Sequence, residues 1–312
     1  MEDTAQSPLA FKIMIFLEKV PAWLKKGPWS PVAHLVILAF LGYILLTYEY
    51  AVASRAEIYD VHSIHFAQNR QAQLGSKIWL QCYRLIGGIY MISITAFVVY
   101  MSGFWPLASY TITSWNLATI RLLASFVGRL NYGFSPHFQF IAGNDWSLIL
   151  KMFYIINLSM LSFVNLTFYA DVVRLPALIG CSITVIVWWT VLVPVISAYM
   201  PDGEARKKFG AFNKTFPLLN LHLFNLPLCA IEFLACERCL TYFDFWVSLA
   251  VAFLYIMFYL NVLDALGLHF YIVFTPRTAW CIIPYSMILL SYYGLYLGWN
   301  HILSYVRGLS CT

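Results

Sequence analysis

Apolar runs long enough to cross a bilayer recur from Val32 nearly to the C-terminus, and this recurrence constrains the chain more than any other feature. A hydrocarbon core of about 30 Å takes roughly 20 residues of helix. Backbone N–H and C=O groups in lipid must be satisfied within the spanning structure, so a chain built from such runs folds as helices. The charged fraction is 11% and the hydrophobic fraction 61%, against about 25% charged in a soluble domain. No stretch is left over for a separate soluble domain. The expected architecture is an all-α polytopic transmembrane helix bundle of seven to eight spans, covering residues 32–303. An interfacial or cytosolic segment, 1–31, precedes it, with Trp23, Trp29, Lys25 and Lys26 suited to the headgroup layer. A short tail, 304–312, follows.

The spanning segments are expected from Val32 to Tyr50, Leu85 to Met101, Tyr110 to Gly128, Trp146 to Ala170, Pro176 to Met200, Phe216 to Ala235, Tyr242 to Leu263 and Ile282 to Leu303. The short FWPLAS connection makes the second and third an antiparallel hairpin. Arg121, inside the third, is expected to reach the interface along its apolar stem. Basic residues divide the loops. Arg55, Arg70, Lys77, Arg84, Arg129, Lys151, Arg206, Lys207, Lys208 and Lys214 fall on the cytosolic side if each segment spans once, opposite Arg174, Arg238 and Arg307. The N-terminal lysines dissent from that parity. The apolar connection DALGLHFYIVFTPRTAW, with Asp264, His269 and Tyr271, reads as a re-entrant or vestibule-lining loop.

Chemistry concentrates in KTFPLLNLHLFNLPLCAIEFLAC, Lys214 to Cys236, where polar groups interrupt a membrane-length run. An ionisable side chain at membrane depth costs about 2.5 kcal/mol or more and faces a bundle interior or wet cavity. His222 and Asn225 share a helix face, and Pro227 withholds an amide donor beside them. His62 and His65 read as part of a solvated loop and Cys236 and Cys239 as ordinary residues, so neither a metal nor a cofactor is expected. The seven cysteines do not read as a disulfide framework. The small net charge of +5, carried in short loops, excludes nucleic acid as a partner; membrane lipids are the expected one. Three N-glycosylation sequons, at Asn157, Asn165 and Asn213, fall in spans or in the cytosolic loop and are expected to stay unmodified.

The stretches YRLIGG (Tyr83 to Gly88), YTITSWNLATI (Tyr110 to Ile120), the His222-Leu-Phe-Asn225 step and LGLHFYIVFTP, taken in order, resemble the rolling stone-like family of multi-pass membrane proteins and its plant relatives. The resemblance covers about two thirds of the chain and implies a membrane role of the kind associated with myoblast fusion. More distantly, His222, Pro227 and Glu232 reproduce a His-x4-Pro-x4-Glu pattern similar to that of the androgen-induced type intramembrane hydrolases of fatty-acid esters. That likeness implies a threonine nucleophile on an earlier helix. Aligned near Trp146, this helix offers Leu150, Phe153 and Tyr154, which leaves Ser159, Ser162 and Thr167 as the hydroxyls to meet His222. The leading expectation is a membrane scaffold or interaction protein with a polar cluster of His222, Asn225, Glu232 and Asn165. The alternatives are an intramembrane lipid-ester hydrolase with His222 as base, and a transporter of a small solute, in the endoplasmic reticulum or plasma membrane.

Overall fold

The computed structural model describes residues 22–25, 27–56, 78–141, 164–200, 203–236, 238–268, 271 and 274–308, with backbone alone over 129–141 and at Ala22, Val164, Asn165, Thr167 and Tyr199. The described residues form helices and turns without a strand. They comprise α1 (Pro31–Leu46), α2 (Tyr48–Ala56), α3 (Ile78–Ser102), α4 (Tyr110–Ile141), α5 (Phe168–Ala198), α6 (Gly203–Asn213), α7 (Phe216–Ala235), α8 (Tyr242–Leu263) and α9 (Ala279–Arg307). Five of them, α3, α5, α7, α8 and α9, are long and apolar enough to cross a membrane, and α1 with α2 makes a sixth if the pair, bent by 42°, is counted as one span. The protein is therefore an integral membrane protein.

Local chemistry sets the helix starts. Ser30 Oγ accepts from the Ala33 N–H at 3.2 Å and Pro31 opens α1, where its missing N–H costs nothing. Asp244 accepts from the Thr241 N–H at 2.7 Å, half of a capping box at the head of α8. Between helices the chain packs through small residues, as membrane bundles do. A Cβ on Gly88 would lie 2.4 Å from Leu123 Cδ2, and one on Gly180 would lie 2.5 Å from Ser114 Oγ, so α3 and α5 approach α4 only because these positions are glycine. Ile86, Leu254 and Leu290 are exposed, which fits a hydrocarbon solvent.

One expected boundary is corrected. Phe168 to Ala198 forms a single apolar helix, where the sequence suggested a span ending at Ala170 and another starting at Pro176. Residues 142–163 lie outside the described ones. Contacts regroup the basic residues of the earlier loops. Arg84 meets Glu232, Arg55 lies 4.9 Å over the Phe243 ring, and Arg307 Nε donates to the Leu234 carbonyl at 2.6 Å. Thus Arg55 and Arg84 share an end with Arg174, Arg238 and Arg307. The loop of Arg206, Lys207, Lys208 and Lys214 lies at the other end, with the N-terminal segment, where the Ser30 N–H donates to the Pro276 carbonyl at 2.8 Å and Thr275 Oγ1 to the Leu24 carbonyl at 2.8 Å.

Candidate functional site

Three of the helices contain a single π-helical turn: Trp188–Leu192 in α5, Asn220–Phe224 in α7 and Tyr259–Leu263 in α8. Such turns leave a carbonyl without its ordinary partner and recur at functional sites. In α7 a π register would pair the His222 carbonyl with residue 227, which is proline and has no N–H. Trp189 Nε1 takes that place, donating to the His222 carbonyl at 2.7 Å.

His222 is thereby fixed on every side. Its Nδ1 lies 3.2 Å from the Leu218 carbonyl. A carbonyl only accepts, so Nδ1 carries the hydrogen and Nε2 presents its lone pair. The Trp188 ring stacks on the imidazole with centroids 3.8 Å apart. Trp188 in turn donates from Nε1 to Asn213 Oδ1 at 3.2 Å, while Asn213 Nδ2 donates to the Phe209 carbonyl at 2.9 Å. The free nitrogen faces a hydroxyl: Thr111 Oγ1 lies 3.5 Å from His222 Nε2. That separation is at the outer edge of hydrogen-bonding range, as is common for catalytic pairs without substrate.

Thr111 sits in the first turn of α4 and opens into a cavity of about 900 Å³, counting its mouth, whose walls include Trp188, Tyr255, Tyr271, Tyr285 and Tyr292. The walls are overwhelmingly apolar. Tyr271 lies against that first turn, its phenol facing the Thr111 side chain, the backbone of Tyr110 and Thr111, and Tyr255, whose hydrogen-bonding groups favour its charged form. Burial raises the Tyr271 pKa more than these groups lower it, so the phenol stays protonated. The expected vestibule loop does reach the cavity through Tyr271, while Asp264 is engaged with Arg277 at 2.6 Å and His269 lies outside the described residues.

The remaining candidates divide. Asn225 is fully buried, yet neither its Oδ1 nor its Nδ2 has a partner among the described residues. Glu232 does not belong to the His222 group. It is buried at the opposite end of α7, where Arg84 Nε donates to its Oε2 at 2.9 Å and Arg84 Nη2 to its Oε1 at 2.8 Å. Arg121, expected to reach the interface, is instead buried: Nη2 lies 3.5 Å from Glu232 Oε1 and 3.2 Å from Cys236 Sγ, and Nη1 donates to the Ala170 carbonyl. The helix interior offered it a carboxylate, which the sequence order alone did not place there. Beside this group Arg238 bridges Asp171 at 3.0 Å and Asp244 at 2.7 Å. Burial disfavours its charge, but the two carboxylates outweigh burial and raise its pKa. Cys239 is disulfide-bonded, a correction to the reading of the cysteines.

Ser159 and Ser162 lie outside the described residues, as do His62, His65 and the side chains of Asn165 and Thr167. Sequence reasoning missed Thr111, although it lies within the YTITSWNLATI stretch already noted, because the threonine was sought on a later helix. Among the described residues no group of three His, Cys, Asp or Glu side chains is placed to hold a metal ion. No family model, curated protein or solved structure matches the chain.

Proposed function

We propose that the protein is an intramembrane lipid-ester hydrolase with Thr111 as nucleophile and His222 as base. The observation that carries this reading is the 3.5 Å approach of Thr111 Oγ1 to the unprotonated His222 nitrogen at the edge of an apolar cavity. A threonine hydroxyl becomes a nucleophile when a base takes its proton. Oγ1 attacks the ester carbonyl carbon as its proton passes to Nε2. Collapse of the tetrahedral adduct breaks the C–O bond, and the same proton leaves on the alcohol. Water then attacks the acyl carbon as Nε2 takes its proton; the C–O bond to Thr111 breaks, the proton passes from Nε2 to Oγ1, and the acid leaves. The Leu218 carbonyl holds the ring through Nδ1–H, and Trp188 fixes its plane. The likeness of His222, Pro227 and Glu232 to the androgen-induced type hydrolases supports the same chemistry, with Thr111 supplying the hydroxyl. The rolling stone-like stretches support a membrane role.

A scaffold role draws on a different observation, the buried ion pairs around Glu232, which specify packing and leave the Thr111–His222 pair without a purpose. For orientation, the chain crosses seven times, with α1–α2 and α4 completing the five longer spans. Its N-terminus and the Arg206–Lys214 loop are cytosolic. The disulfide at Cys239 lies at the other end, consistent with an oxidising compartment, in the endoplasmic reticulum or plasma membrane.

A fluorophosphonate probe tests the chemistry. The wild type in lipid nanodiscs should be labelled at Thr111, and Thr111→Val and His222→Ala should lose the label while folded. A folded wild type that takes no label overturns the hydrolase reading.

A further inference from the structure

Serine and threonine hydroxyls in membrane helices satisfy themselves by donating to the carbonyl four residues earlier. Here Ser114, Thr119, Ser182 and Thr190 do so, at 2.9, 2.9, 2.8 and 2.7 Å. Thr184 does not. Its Oγ1 is buried and has no partner among the described residues, although the residue is only 5% exposed. It lines the same cavity as Thr111. The helix geometry explains why the two are level. α4 and α5 run antiparallel and touch at Ser114 and Gly180. Three residues back along α4 and four forward along α5 move about 4.5 and 6 Å toward the same end, which brings Thr111 and Thr184 to one height on facing helices.

A buried hydroxyl without a partner costs stability, so a chain retains it where a ligand supplies the partner. We infer that Thr184 is a ligand contact, donating a hydrogen bond to the carbonyl oxygen of an acyl ester whose chain fills the cavity. This rests on the hydrolase reading and names the group that holds its substrate. An ester offers only acceptors, so Thr184 must donate. The contact fixes the carbonyl opposite Thr111.

The test uses methyl undecyl ketone, an uncleavable stand-in for the ester carbonyl with one alkyl chain. Melting of the full chain in lipid nanodiscs is followed with and without it. Without ketone, Thr184→Val should melt at or above the wild type, because valine removes an unsatisfied hydroxyl at nearly constant shape. With ketone, Thr184→Val should bind about fivefold more weakly, the worth of one hydrogen bond, and Thr184→Ser should bind as the wild type does. Equal affinity in Thr184→Val, a lower melting point without ketone, or a wild type that does not bind the ketone overturns the inference. Loss of the hydrolase reading alone shows separately, as a wild type that binds the ketone but takes no fluorophosphonate label.

Discussion

Glu232→Gln should be among the most destabilising single substitutions in the chain. The side chain is 1% exposed and its partner Arg84 is 0% exposed, so neither charge has water to turn to. Glutamine keeps the shape and accepts one of the guanidinium N–H groups. It cannot neutralise Arg84, nor Arg121 at 3.5 Å. Breaking a buried pair from one side costs about 3–5 kcal/mol, roughly a 10²- to 10⁴-fold fall in the folding equilibrium at about 1.4 kcal/mol per factor of ten. Removing both partners, as Arg84→Met with Glu232→Leu, should cost less than Glu232→Gln alone, because no isolated charge is left at that pair. The assay is equilibrium unfolding in mixed micelles, followed by tryptophan fluorescence for the wild type, both singles and the double. A Glu232→Gln variant within about 0.5 kcal/mol of wild type, the range of ordinary surface changes, would refute the claim that this pair is charged and dry.

Two further outcomes follow from packing and topology. Gly180→Ala should push α5 from α4, because its Cβ would meet Ser114 Oγ at 2.5 Å and Cβ at 2.9 Å; it should lower thermal stability by about 1–3 kcal/mol, and Ser114→Gly should recover part of that if this contact is the cause. Asn213 should carry no glycan despite its sequon, since its amide is buried and donates to the Phe209 carbonyl at the end of α6, which the proposed orientation puts in the cytosol; an endoglycosidase-sensitive shift abolished by Asn213→Gln would reverse that orientation.

The sequence by itself determined the helical membrane class, because segment length and the cost of unpaired backbone in lipid leave one kind of solution. It also singled out His222, since an imidazole among leucines is conspicuous at membrane depth. Both signals are local. The partners were decided only by tertiary structure. Thr111 and His222 are separated by 111 residues, Arg84 and Glu232 by 148, and nothing in helix periodicity says which distant helix faces which. Glu232 shares a helix with His222, so the sequence grouped them, but a helix about 30 Å long has two ends. The bundle gives one end to a hydroxyl and a cavity and the other to arginines. The boundary expected between Ala170 and Pro176 differs for a related reason: apolarity marks a segment as able to cross, whereas the break between two segments depends on where the backbone turns, and Phe168 to Ala198 is continuous helix. The unsatisfied hydroxyl of Thr184 is legible only in three dimensions, because a threonine in a helix ordinarily satisfies itself.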